Sequence, residues 1–253
     1  MKPYTIGAGL TFGLLLAAGT GHETLAHAAD VKVLSSNGIH SVMDEIVPKF
    51  ERSTGHKVSV DYDTANALLG RIKAGEQADM AILTQPVIDE LIKQGKVVAG
   101  SGKLLGSSGV GVAVQAGLPK PDIGSVEAFK RALLAAKSIA FTKTGASGIH
   151  FAKVVENLGI AKQVNAKAKV PAGGLVGELL ASGEAEMAIQ QVPELMAVPG
   201  IQFVGPLPKE LQITTVLSGG VLTGTRQAEA AGALIDFLKS QEAVFKAKGM
   251  DPL

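Results

Sequence analysis

The chain has 253 residues, with 24 Lys and Arg against 23 Asp and Glu, and it contains no Cys. This balance of charge excludes a global electric field that would draw the protein to nucleic acid or to anionic lipid. The lack of Cys excludes disulfides, thiolate metal sites and thiol nucleophiles, so a hydrophobic core must supply the stability.

The first 28 residues have the pattern of an export signal. Lys2 provides a positive start, residues 6–18 form an apolar run, and Ala26-His27-Ala28 fits a small-x-small cleavage site. The apolar run is shorter than the roughly 20 residues of a membrane-spanning helix. We therefore predict a signal peptide over residues 1–28, cleavage after Ala28, and a mature protein in the periplasm.

From residue 31 onward, predicted strands alternate with predicted helices. The first series has strands at 31–35, 57–62 and 80–83, a helix with Val42, Ile46 and Phe50 on one face, and helices at 65–74 and 87–94. The second series has strands at 110–114, 138–141, 187–190 and 201–204 and helices at 125–136, 148–158 and 175–182. Strand-like segments at 213–217 and 219–222 and helices at 228–239 and 242–248 close the chain. This alternation predicts an α/β protein with parallel sheets covered on both faces.

Four loops share one design, in which a strand end is followed by small polar residues and a helix start. They span residues 35–38, 63–66, 84–85 and 142–148. Open α/β sheets bind ligands beyond the carboxyl ends of their strands, and a helix N-terminus attracts anions. The predicted ligand-binding residues, which include Gln190 after a later strand, are Ser36, Asn37, Gly38, Thr64, Asn66, Thr84, Lys143, Ser147, Gly148 and Gln190. The alternative is that these polar side chains only cap their helices.

Few titratable residues accompany these loops. Lys143 is the best placed positive charge, and Arg71 lies on a helix behind the second loop. His40 and His150 each follow a Gly by two residues at a helix start, so either is a candidate ligand contact or base. The alternative for both is a structural hydrogen bond. No metal-ligand spacing, nucleophile elbow or phosphate-binding Gly motif occurs, and we expect no metal or cofactor.

Several segments resemble one family across the whole mature chain. They include Val33-Leu34-Ser35-Ser36, Phe50-Glu51-Arg52-Ser53-Thr54-Gly55, Ile72-Lys73-Ala74-Gly75-Glu76-Gln77-Ala78-Asp79, Ala181-Ser182-Gly183-Glu184-Ala185-Glu186 and Val204-Gly205-Pro206-Leu207-Pro208. The chain resembles the periplasmic molybdate-binding-protein-like solute receptors of ABC transporters. The resemblance implies a type II periplasmic-binding-protein fold, with lobe one at 29–108 plus 206–253, lobe two at 109–205, and two crossing segments. It also implies hinge closure on a small anionic ligand and an ABC permease as partner. We further expect no nucleic-acid partner, from the charge balance, and a monomer.

The likeness to molybdate binders is incomplete at the ligand. Those receptors use a Ser in each of the first two loops and a Tyr late in lobe two, whereas this chain has Gly38, Thr64 and Asn66 in the loops and only Tyr4 and Tyr62. An organic carboxylate is therefore as good a candidate as molybdate.

Residues 192–200 resemble a branch of the family that includes periplasmic aconitate isomerase. This likeness leaves a second hypothesis, an isomerase that moves an allylic proton of aconitate with His150, His40 or Lys143 as catalytic residues.

Overall fold

The computed structural model describes residues 28–253 and Met1. The predicted signal peptide therefore lies outside the described residues, apart from Met1 and Ala28. Within residues 28–253, no helix is long and apolar enough to cross a membrane.

Strands and helices alternate along the described chain. The first half contains β1 (Asp30–Ser36), α1 (His40–Thr54), β2 (Lys57–Asp63), α2 (Ala65–Lys73), β3 (Met80–Thr84), α3 (Gln85–Lys93), β4 (Lys103–Gln115) and α4 (Val126–Ala135). The second half contains β5 (Ile139–Ala140), α5 (Ala146–Asn157), α6 (Ala161–Asn165), β6 (Ala168–Lys169), α7 (Gly177–Ala181), β7 (Met187–Gln191), α8 (Val192–Met196), β8 (Ile201–Pro206), β9 (Thr214–Val221), α9 (Ala228–Lys239), α10 (Glu242–Ala247) and β10 (Asp251–Pro252). Single 3-10 turns occur at Asn37–Ile39 and Lys209–Leu211.

The strands form two sheets that share the long strand β4. In the first sheet β1 is parallel to β2 and β3, and β9 runs antiparallel between β3 and β4. In the second sheet β5 is parallel to β6 and β7, while β4 is antiparallel to β7 and β8. The sheets are therefore mixed rather than wholly parallel as predicted. Hydrophobic periodicity identifies a strand but carries no information on the direction of its neighbours.

Strand β4 carries the chain from one lobe to the other. Its residues from Lys103 to Gly109 pair with β9. From Val110 onward β4 lies between β7 on one side and β8 on the other. The chain returns after β8, where the Leu207 N–H donates to the Val110 carbonyl, and β9 begins with Thr214 opposite Gly109. The lobe boundaries remain a prediction. This register supports the first boundary at 108/109, and the packing of residues 207–213 on lobe two favours a return later than residue 206.

Each sheet is covered on both faces by apolar side chains. In the first sheet, Val33 and Ile82 face a cluster that contains Phe50, whereas Leu34 and Leu83 face a separate cluster formed with α2 and α3. Two further clusters cover the second sheet. Each large side chain that is fully buried contributes roughly 1.5–3 kcal/mol to the stability of the fold. Because separate clusters cover the two sheets, the two lobes have independent cores.

Two elements differ from the sequence prediction in ways that matter for the site. Strand β4 begins at Lys103, before the predicted strand start at residue 110. Gly106 is required there, because a Cβ atom would lie 2.7 Å from the Phe245 ring. Helix α8 was not predicted; it carries Pro193 in its first turn, where Pro is tolerated.

Candidate functional site

A cleft opens between the two lobes where several helices begin. It leaves about 390 Å³ free of protein atoms, a volume that includes some open solvent. The lining residues come from both lobes and from the crossing strands: Ser36, Gly38, Thr64, Ala65, Thr84, Ser108, Gly145, Ala146, Ser147, Gln191, Glu194, Thr215 and Leu217.

The lobe-one wall of the cleft presents hydroxyl groups at three strand ends. The Ser36 hydroxyl accepts from the Gly38 N–H at 3.3 Å, and Thr64 caps α2 by accepting from the Ala67 N–H at 3.3 Å. Thr84 precedes α3 without capping it through its side chain. The first N–H groups of a helix have no partner within that helix, so this wall supplies hydroxyls together with backbone donors.

The lobe-two wall is the start of α5. Gly145, Ala146 and Ser147 line the cleft, and Gly145 leaves the helix N-terminus without a side-chain cap. Gly148 packs so closely that a Cβ atom there would lie 1.7 Å from the Thr142 carbonyl oxygen. This close approach holds the first turn of α5 against Thr142, which follows β5. The backbone at the start of α5 therefore lies at the cleft.

Direct hydrogen bonds join the lobes across the mouth of the cleft. The Thr64 and Thr144 hydroxyl oxygens lie 2.8 Å apart, and the Asn66 Nδ2 donates to the Thr144 carbonyl at 3.0 Å. A Cβ atom on Gly173 of lobe two would lie 2.9 Å from an Asp63 carboxylate oxygen of lobe one. The structure therefore shows the lobes closed on each other.

Gln191 forms the floor of the cleft between the crossing strands. Its Oε1 accepts from the Ser108 hydroxyl on β4 at 2.6 Å, and its Nε2 donates to the Thr215 hydroxyl on β9 at 2.7 Å. Gln191 is 5% exposed. One buried amide thus ties a lobe-two strand end to both strands that connect the lobes.

Glu194 on α8 is the titratable side chain among the lining residues. It is 7% exposed, and its Oε2 accepts from the Gln191 N–H at 3.1 Å. Burial raises the pKa of the Glu194 carboxyl to about 8, although the hydrogen bond from the Gln191 N–H acts in the opposite direction. Glu194 is not among the residues predicted from the sequence. An acidic residue in the first turn after the strand at 187–190 was the signal, because it repeats the strand-to-helix design of the four predicted loops.

The predicted ligand-binding residues fall into two groups. Ser36, Gly38, Thr64, Thr84 and Ser147 line the cleft. The remaining five are not among the lining residues; they are Asn37, Asn66, Lys143, Gly148 and Gln190.

Each of these five has a different environment. Asn37 is buried, and within the described residues its Nδ2 has no hydrogen-bond partner. Asn66 bonds across the lobes, and Gly148 packs on Thr142. Lys143 is exposed. Gln190 uses its amide inside lobe two, where Oε1 accepts from the Val176 N–H at 2.9 Å.

The candidate catalytic histidines have partners away from the cleft lining. The His40 ring stacks on Tyr62 at 3.8 Å, and its Nε2 lies 3.5 Å from Asp44. The His150 Nε2 lies 2.7 Å from the Leu211 carbonyl. Neither His40, His150 nor Lys143 is among the lining residues, so the structure places the three predicted catalytic side chains outside the closed cleft.

The chemistry of the lining residues suits an anion held by neutral donors. Over the described chain, no Lys, Arg or His lines the cleft, and no three His, Asp or Glu side chains gather as a metal site. Arg71, the other cation considered, pairs instead with Asp61 and with Glu76. The Arg71 and Lys32 side chains hold the pKa of Glu76 down at about 2.

Comparison with known proteins gives matches along nearly the whole chain. The family model of bacterial extracellular solute-binding proteins matches residues 31–251. Aconitate isomerase of a Pseudomonas species is 35% identical over 240 residues, which cover 92% of this chain and 91% of that protein. The molybdate-binding protein ModA of Azotobacter vinelandii is 30% identical over 256 residues, which cover 93% of this chain and 96% of that protein.

Solved structures show the same fold. The periplasmic molybdate-binding protein of Azotobacter vinelandii superposes with a TM-score of 0.73 at 18% identity, covering 87% of this chain and 98% of that chain. The family resemblance and the type II fold predicted from the sequence are thus confirmed.

Proposed function

This chain belongs to the bacterial extracellular solute-binding protein family, and we propose that it captures one small anion between its lobes. In this proposal the protein is exported to the periplasm, acts as a monomer, and delivers its ligand to an ABC permease. The ligand is an oxyanion of molybdate type or a short organic carboxylate.

One observation carries the proposal: the closed cleft is lined by hydroxyls and helix starts from both lobes. Such a site binds an oxyanion through several neutral hydrogen bonds and helix dipoles, without a cationic side chain. Asn37 stands in the sequence between the lining residues Ser36 and Gly38, and its buried Nδ2 lacks a partner within the described part of the chain. An unsatisfied buried donor costs roughly 1–3 kcal/mol, so a ligand oxygen that reaches it removes this cost.

The size of the closed cleft favours a compact ligand. The cleft leaves about 390 Å³ free of protein atoms, part of which is open to solvent. A tetrahedral oxyanion or a short carboxylate suits a cleft of this size.

Capture follows from the arrangement of the crossing strands. Ligand binding to one wall leaves the other wall free to move on β4 and β9, and contacts from both walls favour the closed state. Gln191 forms hydrogen bonds with both crossing strands, so a movement of either strand relative to lobe two changes these bonds.

The test is a thermal-shift and calorimetric screen of protein purified after export. Molybdate, sulfate, phosphate and trans-aconitate serve as anionic probes, and trimethyl aconitate serves as a neutral control. We expect at least one anion, and not the ester, to raise Tm and to bind with a one-to-one stoichiometry. The Ser147→Ala variant should bind that anion more weakly. Absence of binding by every anion would contradict the proposal.

Isomerisation of aconitate is the second candidate function. The Pseudomonas relative at 35% identity favours it, and so does the presence of one titratable side chain, Glu194, in the cleft lining. An ionised carboxylate would remove a proton from the CH₂ group of the substrate and return it to the other allylic carbon, moving the double bond. The hydroxyls and helix starts would hold the carboxylates and the enolate-like charge.

Proton NMR with cis-aconitate or trans-aconitate in deuterated buffer tests the second candidate. An isomerase converts the isomers and introduces deuterium at the allylic carbon, and the Glu194→Gln variant should lose this conversion. Replacement of His40 and His150 should leave the conversion in place, because neither side chain lines the cleft. A wild-type protein that binds aconitate without converting it would exclude this function.

A further inference from the structure

The anion-binding cleft contains an acidic side chain where an anion is expected to bind. Glu194 is 7% exposed and lines the same cleft as Ser36, Thr64 and Ser147. An ionised carboxylate in that position repels a bound anion, and the desolvated site strengthens the repulsion. A protonated carboxyl has the opposite effect, because it donates a hydrogen bond to an anion oxygen.

We propose that Glu194 is protonated in the ligand-bound cleft and donates this hydrogen bond, so that capture of one anion by protein whose Glu194 is ionised takes up one proton. The inference rests on the proposed function of anion capture. It makes Glu194 a specificity-determining residue, because the site then prefers a fully ionised ligand that offers an acceptor oxygen.

Closure of the lobes places Glu194 in this environment. Helix α8 belongs to lobe two, yet it packs against the 3-10 turn Asn37–Ile39 and against α1 of lobe one. Pro193, next to Glu194 in the sequence, has its carbonyl 3.5 Å from the Ser41 hydroxyl of lobe one. The burial that favours the protonated form therefore depends on contacts between the lobes, and opening the cleft returns the carboxyl to water.

The elements packed against α8 bring few charges that compete with this role. The 3-10 turn, β7 and β8 contain no titratable side chain. Helix α1 begins with His40, whose Nε2 faces Asp44 at 3.5 Å, and its other charges follow further along the helix. Strand β4 carries Lys103 at its far end, where it pairs with Asp236. Burial is the main cause that raises the pKa of Glu194 to about 8.

Proton uptake is measured by isothermal titration calorimetry with molybdate and with trans-aconitate as probes. Titrations at about pH 7, 8, 9 and 10 in buffers of different ionisation enthalpy give the number of protons bound per anion. For the wild type we expect uptake that approaches one proton at about pH 9 and 10, where Glu194 of the free protein is ionised, and much less at about pH 7, where it is already protonated. The affinity should fall with rising pH above about 8, by up to about tenfold per pH unit.

Two variants distinguish the carboxyl from a structural role. Glu194→Gln keeps a donor of the same shape but cannot ionise, so its affinity should lose this pH dependence and its binding should take up no proton. Glu184→Gln changes an exposed carboxylate of lobe two and should behave as wild type.

The possible failures are distinguishable. If no probe binds the wild type at any pH, both the proposed function and this inference fail. If the wild type binds a probe at about pH 9 and 10 without proton uptake, the inference alone fails, and this result does not depend on whether the Glu194→Gln variant folds. Equal pH dependence in the wild type and the Gln variant likewise overturns the role of Glu194.

Discussion

The two walls of the cleft use the same local design but differ in what they offer a ligand. Lobe one presents Ser36 and Thr64, whose hydroxyls already accept hydrogen bonds from the backbone of their own turns. Lobe two presents the uncapped start of α5 and, beside it, the ionisable Glu194 on α8. Both walls thus supply neutral donors, and lobe two adds one group whose charge depends on pH. Ligand specificity is therefore expected to reside mainly in lobe two.

The largest expected effect concerns the charge of Glu194 in the ligand-free protein. The pKa of this carboxyl is raised from its ordinary 4.5 to about 8, so the protonated form stabilises the native state. That contribution is complete below about pH 4.5 and is lost as pH rises towards 8, with an upper bound of roughly 5 kcal/mol. Urea unfolding at several pH values should show the wild type losing stability relative to Glu194→Gln over this window.

The corresponding control is Glu184→Gln, which should track the wild type at every pH. Parallel curves for the wild type and Glu194→Gln would show that Glu194 is solvated in the free protein, and would remove the difference between the walls.

The packing of α5 tests whether the lobe-two wall is rigid. Replacement of Gly148 by Ala places a methyl group 1.7 Å from the Thr142 carbonyl oxygen, and the forced shift should cost about 3 kcal/mol. Gly232→Ala in α9 is the matched control, because a Cβ atom there meets nothing within 4 Å. That control should gain about 0.5–1 kcal/mol, since Ala favours the helix. Equal unfolding free energies for the two variants would contradict the close packing.

A smaller effect is expected at the lobe-one wall. Thr64→Val removes the hydroxyl that caps α2 and that lies 2.8 Å from the Thr144 hydroxyl across the cleft. Loss of the cap should lower the free energy of unfolding by about 1 kcal/mol. Loss of the contact between the lobes should weaken anion binding by up to about tenfold.

The control for this change is Thr64→Ser, which retains the hydroxyl and should recover most of both losses. Binding by the Val variant equal to that of wild type would show that Thr64 does not contribute to closure.

Much of the fold could be predicted because its signals are local. Val42, Ile46 and Phe50 recur at helical spacing and are fully or almost fully buried in α1, and Ser125 caps α4 as its sequence position indicates. Residues 106–109 could not be predicted as strand, since Gly106 is fitted to the distant Phe245 ring rather than to its neighbours in sequence.

The candidate site was predictable only in part, for a related physical reason. Ser36, Thr64, Thr84 and Ser147 follow strand ends, and a strand end locates a residue at the edge of the sheet where ligands bind. That rule does not say which way a side chain turns. Lys143, in the same kind of loop as Ser147, is exposed, and Gln190 points into lobe two while its neighbour Gln191 faces the cleft.

The sequence by itself determined the α/β class, the family, most element positions and the loops that lie at the cleft, because periodicity, caps and turn residues act over a few neighbours. Only the tertiary structure decided that Glu194, and not His40, His150 or Lys143, is the titratable group of the closed cleft. The reason is that burial and the resulting pKa of Glu194 depend on where lobe one packs against α8. No local pattern within residues 192–196 contains that contact.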